Sequence, residues 1–492
     1  MKSESLGSSA VVLTASKIIT LCLTMVTTML LSRFRTFQEY GTYSELLLIV
    51  NLTSTLLMLG LPNSINFFLA KAETQDEQKK FLSIYYTLST MLSILIGIVL
   101  VLLVPLLEKY FHNSAIKAFS YFLAVYPWTA IISSSLENLL IVYQHTKGLM
   151  LFKATHSAAQ LLTAIIVQIL GYGFSTYLFL FVTVNCGFAV SAYVIASRLC
   201  GGICLCFDRA QLKEVFFFSI PIGLATAVGT LNTEIDKLLI GYLMNTEQLA
   251  VYTNAAKELP LTVVPSSITA VLLPRLTRMI KENRDEDAVR LWNCASELSF
   301  IIISFLVAGV FTYAEDAMTI LYSSKYLSGI TVFRIYTLNL LLRVTYFGII
   351  LNAYGDTKKI LYCSVLSLLL NSFLNPLFYR FWGMMGPAVA TFIALLLIAL
   401  LQLHMTAQKT KLALSILFPW RQALRILILN SALGFCFWAL KYFLPLDHLI
   451  GNLQETITLA VVWTLIYVFC VKDRILCLWE TLNAGGKQSA NI

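Results

Sequence analysis

Three charged residues stand within four positions of one another at 229–241, GTLNTEIDKLLIG: Glu234, Asp236 and Lys237. Long apolar stretches flank them on both sides. A charge at the centre of a bilayer costs about 2.5–3.5 kcal/mol on insertion scales, so such residues face a bundle interior or a water-filled path. On a helix Asn232 and Asp236 lie about 40° apart, because each residue turns about 100°. Glu234 and Lys237 lie one turn apart on a neighbouring sector. Leu231, Ile235, Leu238 and Leu239 fill most of the remaining arc. Two readings follow. The polar side lines a cavity, or Glu234 and Lys237 neutralise each other and lock helices together.

Recurrence favours the cavity. Lys257 and Glu258 lie beside Pro260, and Arg334 and Arg343 fall in a later apolar run. Lys17 is in the first run, Glu45 begins the second, and Glu137 with Asn138 interrupts the fourth. Lys17 and Arg334 have a second reading, as interfacial side chains that snorkel to water. The candidate cations Lys237, Lys257, Arg343, Arg334 and Lys17 suit an anionic substrate. A diphosphate would be held by charge-assisted hydrogen bonds. Asp236, Glu234 and Glu258 are the candidate ion-coupling groups, because a carboxylate's proton affinity moves with its access to water. Asn232 and Tyr252 add polar atoms to the same path. Asn51, Asn63, Asn66, Gln160, Gln168, Asn185, Asn339, Asn371 and Asn375 could meet sugar hydroxyls, or hydrogen-bond between helices.

Catalytic patterns are missing: there is no Walker A, HExxH or GxSxG. The five histidines are dispersed and read as loop or interface residues. Cys200, Cys204 and Cys206 cluster without zinc spacing or a neighbouring His. The reading is therefore a non-enzyme with no cofactor and no metal.

The elements that must position these residues are membrane helices. Of 492 residues 58% are hydrophobic and 12% charged, more apolar surface than a soluble protein could bury. Alternating barrel patterning is absent, which leaves helices. Apolar runs fall at about 8–32, 43–70, 82–107, 116–143, 150–172, 175–197, 215–243, 249–273, 291–314, 330–354, 360–379, 384–407, 422–443 and 453–471, fourteen candidates. The first reads as a retained span rather than a signal peptide. With a cytoplasmic N-terminus, twenty-three Lys and Arg fall in inside loops and termini against seven outside. Both termini are then cytoplasmic. The net charge of +9 is explained by this loop bias and does not point to nucleic acid.

The polar break at 198–214 separates six spans from the rest. The expected organisation is a six-helix lobe at 1–200, a cytoplasmic linker at 201–214, a second six-helix lobe at 215–408, and two further helices with a tail at 409–492. An internal repeat supports it. QEYGTYSELL at 38–47 resembles EQLAVYTNAA at 247–256, matching Tyr43 to Tyr252 at an offset of 209 residues. Leu61-Pro62 and Leu273-Pro274 follow the two stretches. Six spans is an even number, so the repeat is parallel, and two facing bundles would enclose a central cavity.

LLSRFRTFQEYGTYSELLLIVNLTSTLLMLGLPNSINFFLAK resembles the first two helices of Wzx-type polysaccharide exporters. EIDKLLIGYLMNTEQLAVYTNAAKELP resembles their seventh and eighth, and LNAYGDTKKILYCSVLSLLLNSFLNPLFYRFWGMMGPAVATFIA their tenth to twelfth. Those exporters belong to the multidrug/oligosaccharidyl-lipid/polysaccharide (MOP) superfamily. The resemblance implies an all-α, MATE-like fold of two six-helix lobes plus two C-terminal helices, in a bacterial inner membrane. It implies flipping of an undecaprenyl-diphosphate oligosaccharide between leaflets by alternating access, for surface polysaccharides such as O-antigen or capsule. Asp236 falls on the acidic position typical of the seventh helix and Tyr252 on a recurring aromatic. A proton or sodium gradient and a polymerase complex are the candidate partners, and the expected state is a monomer. The alternatives are a MATE-like drug antiporter, disfavoured because the first helix offers Lys17 and no carboxylate, a flippase for the peptidoglycan lipid precursor, and a non-transporting scaffold.

Overall fold

The computed structural model describes residues 6–204, 206, 208–257, 259, 261, 263–443 and 452–487. Every regular element among them is a helix. The chain forms two compact units, Met1–Thr253 and Asn254–Ile492.

The first unit holds α1 (Leu6–Phe34), α2 (Phe37–Leu57), α3 (Leu61–Lys71), α4 (Gln75–Leu102), α5 (Val104–Phe111), α6 (Ala115–Ala118), α7 (Ser120–Val142), α8 (Thr146–Ile169), α9 (Phe174–Cys200), α10 (Arg209–Leu243) and most of α11 (Thr246–Ala255). α1 packs on α8, α7 on α4 and α9, and α10 on α2 and α3. Thr36 and Thr74 start α2 and α4 through capping boxes with Glu39 and Glu77, each satisfying two otherwise orphaned backbone donors. α2 and α3 form a span bent by 48°. The bend falls at Leu59 and Gly60, both in the left-handed region, and Pro62 opens α3. α10 crosses at this point. A Cβ at Gly223 would collide with the Leu59 carbonyl carbon, so only glycine lets the backbones meet there.

The second unit holds α12 (Val263–Lys281), α13 (Asp285–Thr312), α14 (Ala314–Tyr322), α15 (Ile330–Asn339), α16 (Ile349–Ala353), α17 (Thr357–Trp382), α18 (Met385–Thr410), α19 (Leu414–Leu417), α20 (Trp420–Phe443) and α21 (Asn452–Lys487). α17 and α18 form its tightest hairpin, while α20 and α21 pack on α13. That attachment is specific. Arg474 clasps Glu297 at 2.6 and 2.7 Å, Tyr467 donates to the Ile301 carbonyl at 2.8 Å, and Trp463 stacks on Phe437.

Among the described residues nine helices are singly long and apolar enough to cross a membrane, and the bent α2–α3 pair makes ten. The other four expected spans have their own form. Residues 116–143 are divided between α6 and α7, with Pro127 inside α7. Residues 453–471 lie within α21. Residues 249–273 are divided between α11 and α12, and 330–354 between α15, a 3-10 turn at Leu340–Arg343, and α16. The sequence between α11 and α12 contains Pro260, which has no N–H to continue a helix.

Candidate polar site in the spanning helices

α10 places its charges as periodicity predicts, and gives each a partner. Lys237 Nζ donates to Glu234 Oε2 at 2.6 Å, with the two side chains about one-fifth exposed. The mutual neutralisation weighed from the sequence is thus present. Asp236 is buried. Its Oδ1 accepts the Lys237 backbone N–H at 2.7 Å, and its Oδ2 accepts the Tyr252 hydroxyl proton at 2.8 Å. Asn232 is half-buried one turn away. The structure therefore joins two pairs of expected site residues, Glu234 with Lys237 and Asp236 with Tyr252.

The other candidates lie on other elements. Lys17 is exposed on α1. Lys257, just beyond α11, is half-buried. Glu258 lies outside the described residues. Arg343 closes the 3-10 turn after α15. Arg334 on α15 stands over the Phe311 ring and 3.9 Å from Glu315. It lines a cavity of about 460 Å³ in the second unit, walled by Phe311, Leu338, Asn430, Phe435 and Trp438 among others. A cation at the rim of an apolar groove is a place for an amphiphile with an anionic head.

Further polar groups gather in the first unit. Glu137 of α7 pairs with Lys153, which lies inside α8 although its sequence position suggests a loop. His156 was expected in a loop or at an interface. It sits in α8 instead, bonded through Nε2 to Asn185 Oδ1 at 3.0 Å and to Gln160 at 3.2 Å. The signal was partly legible, because Gln160 and Asn185 interrupt apolar runs. His156 escapes because its partner is 29 positions away. Glu45 is the other such group. It is fully buried, with no cation beside it among the described residues. Among the described residues no group of three or more metal-binding side chains occurs.

Among the described residues the chain is all-helical, with charged side chains inside apolar helices, the architecture of a polytopic membrane protein. Its fold is similar to the lipid II flippase MurJ in an inward closed conformation, with a TM-score of 0.72 at 15% identity, covering 94% of this chain and 100% of that one. It is also similar to an inward-facing MATE-family multidrug resistance transporter of the MOP superfamily, with a TM-score of 0.64 at 14% identity, over 82% and 98% of the two chains. The family model described as "Polysaccharide biosynthesis protein" matches residues 30–331. The chain belongs to that family. A Staphylococcus aureus relative, "Capsular polysaccharide biosynthesis protein CapF", is 26% identical over 196 residues, 38% of this chain and 48% of that protein. A "Probable lipid II flippase MurJ" of Rickettsia prowazekii (strain Madrid E) is 24% identical over 200 residues, 37% and 38% of the two. The chain thus matches less than half the length of these curated relatives.

Proposed function

We propose that this protein flips a prenyl-diphosphate-linked oligosaccharide, an undecaprenyl-diphosphate repeat unit, from the cytoplasmic to the outer leaflet of a bacterial inner membrane. The glycan serves a surface polysaccharide, and an ion gradient drives the cycle. The observation that carries this reading is the set of ionisable side chains held inside apolar helices by a member of a polysaccharide-biosynthesis family. Intramembrane charge of this kind marks a substrate or ion path. Arg343, Lys257, Arg334 and Lys17 supply the cationic surplus for the diphosphate, and Lys237 joins them when released from Glu234. Asp236, Glu234 and Glu258 are the coupling carboxylates, with Tyr252 and Asn232 beside the path. The loop charges place both termini in the cytoplasm. The protein works as a monomer and hands its product to a polymerase.

A second reading is supported by the MurJ-like fold: the cargo is the peptidoglycan lipid precursor, which carries the same diphosphate. One experiment tests both. The purified protein in liposomes receives labelled undecaprenyl-diphosphate oligosaccharide, lipid II, or a cationic dye, and appearance of label in the opposite leaflet is timed. Movement of the oligosaccharide lipid alone supports the proposal. Movement of lipid II alone transfers it to the second reading, and movement of the dye alone replaces both with a drug antiporter.

A further inference from the structure

The repeat register draws attention to Glu45. It occupies the position in α2 that Asn254 occupies in α11, at the same offset of 209 residues. Both side chains are fully buried. In the first copy that side chain is an acid, and it has no cation.

The surroundings of Glu45 form a built site. Asn113, in the turn after α5, donates from Nδ2 to Glu45 Oε2 at 2.6 Å and to Thr42 Oγ1 at 2.9 Å. Its Oδ1 accepts from the Ala115 backbone at 3.0 Å and from Gln38 at 3.2 Å. The backbone donor at Ala115 fixes which end of the amide is oxygen, so the group facing Glu45 is a donor. The second carboxyl oxygen, Oε1, is buried without an ordinary hydrogen bond among the described residues, and the Thr246 side chain is a further hydrogen-bonding neighbour of the carboxyl. Above it α2 and the start of α11 are in backbone contact, where a Cβ on Gly41 would collide with the Thr246 carbonyl oxygen. The charged and titratable groups on the elements packed against α2 at this end include Arg33 of α1, Lys117 of α6, Tyr121 and Tyr126 of α7, Asp236 and Tyr242 of α10, and Glu247 and Tyr252 of α11. Asp236 and Tyr252 bond each other, and none of these groups bonds Glu45. A carboxylate held only by neutral donors, with no cation beside it among the described residues, is costly in such a site, whereas the neutral acid is not.

We propose that Glu45 is a proton-binding site of the transport cycle, loaded when the α2–α11 junction is open and buried when it closes. This rests on the transporter reading. The loop charges assign this end of the unit to the outside. With the junction parted, the Glu45 carboxylate takes a proton from water and becomes the neutral acid. Closure of Gly41 onto Thr246 then sequesters it under Asn113. Reopening returns the proton to water and leaves the carboxylate. Closure of the outer side therefore requires the proton.

Two measurements test this. In liposomes, an imposed pH step of roughly one unit, a tenfold change in proton activity, is expected to change wild-type flipping several-fold. Glu45→Gln, which keeps the shape and the Asn113 bond, is expected to flip at a rate indifferent to the step, while Glu45→Asp keeps the response. A gradient response in Glu45→Gln equal to wild type overturns the proposal. Independently of transport, infrared spectra of the solubilised protein should contain a protonated-carboxyl carbonyl band that weakens in Glu45→Gln. A band undiminished in Glu45→Gln overturns the proposal even if that variant is inactive. If wild type moves no lipid-linked sugar, the cargo reading fails, and the infrared result still decides Glu45.

Discussion

The α1–α2 and α10–α11 hairpins begin alike and differ inside. α1 ends at Phe34 and α10 at Leu243; α2 starts at Phe37 and α11 at Thr246. Both pairs are related by the offset of 209 that aligns Tyr43 with Tyr252. The caps obey it too. Thr36 accepts the Glu39 N–H at 3.1 Å, and Asn245 accepts the Gln248 N–H at 2.8 Å. The buried acids do not. The second copy carries Asp236 on its first helix where the first copy has Thr27, whose hydroxyl turns back to the Leu23 carbonyl. The first copy carries Glu45 on its second helix where the second copy has Asn254. The helices also stop at different points. α2 runs on through Leu48, Ile49 and Asn51, whereas the second copy has Lys257, Glu258 and Pro260 at the matching positions and α11 ends at Ala255. Helix ends thus preserve the repeat, and the interior polar atoms break it.

The comparison can be broken most forcefully at Gly41. Gly41→Val puts side-chain atoms into the Thr246 backbone and should destabilise the protein by about 3 kcal/mol, with near-complete loss of transport. At the matching position Ala250 a Cβ is already accommodated, and Ala250→Gly should cost about 1 kcal/mol, as glycine does within a helix. Thermal unfolding in detergent separates the two, and equal losses would mean that the α2–α11 approach is not tight.

Next come the two matched tyrosines. Tyr252→Phe removes the hydroxyl that donates to Asp236 and should cost about 1.5–3 kcal/mol, the range for a bond to a charged group. Tyr43 packs its ring against Tyr177 and Phe181, contacts that Phe keeps, and loses only a hydroxyl contact with the neutral Tyr177, so Tyr43→Phe should cost less, about 1 kcal/mol. A reversed order, read from the same unfolding curves, would show that Asp236 draws its stability from elsewhere. In transport, Asp236→Asn should weaken the response to a pH gradient while keeping flipping. An unchanged response would leave Glu45 as the better coupling group.

Arg343→Ala and Lys237→Ala should insert and fold normally, yet flip lipid-linked oligosaccharide many-fold more slowly. Full transport by both variants would remove the cationic path. The smallest effects belong to the caps. Thr36→Ala and Asn245→Ala should each cost about 1 kcal/mol and leave the transport rate near wild type. Clearly unequal costs would show that the two helix starts are not structural equivalents.

Much of this molecule was legible in advance because membrane helices are constrained by composition. The long apolar runs, the loop charge bias and the polar sector of α10 follow from transfer energies and a turn of about 100° per residue. The caps at Thr36 and Thr74 and the bend before Pro62, inside the run read as one span at 43–70, emerged only with the structure. Periodicity, however, gives a residue's direction and not its partner. That Lys237 is engaged by Glu234 was one of two open readings until the side chains were placed. That Asp236 meets Tyr252, and that Asn113 reaches Glu45 from 68 positions away, depends on how α5 and α11 pack beside α10 and α2. Hydrophobicity likewise counts a run as one span whether or not it is continuous. Residues 249–273 read as a single helix by composition, and only the folded chain divides them between α11 and α12. Apolar patterning therefore determined which segments enter the membrane, while tertiary packing alone decided which buried charges are matched and left Glu45 with no counter-ion among the described residues.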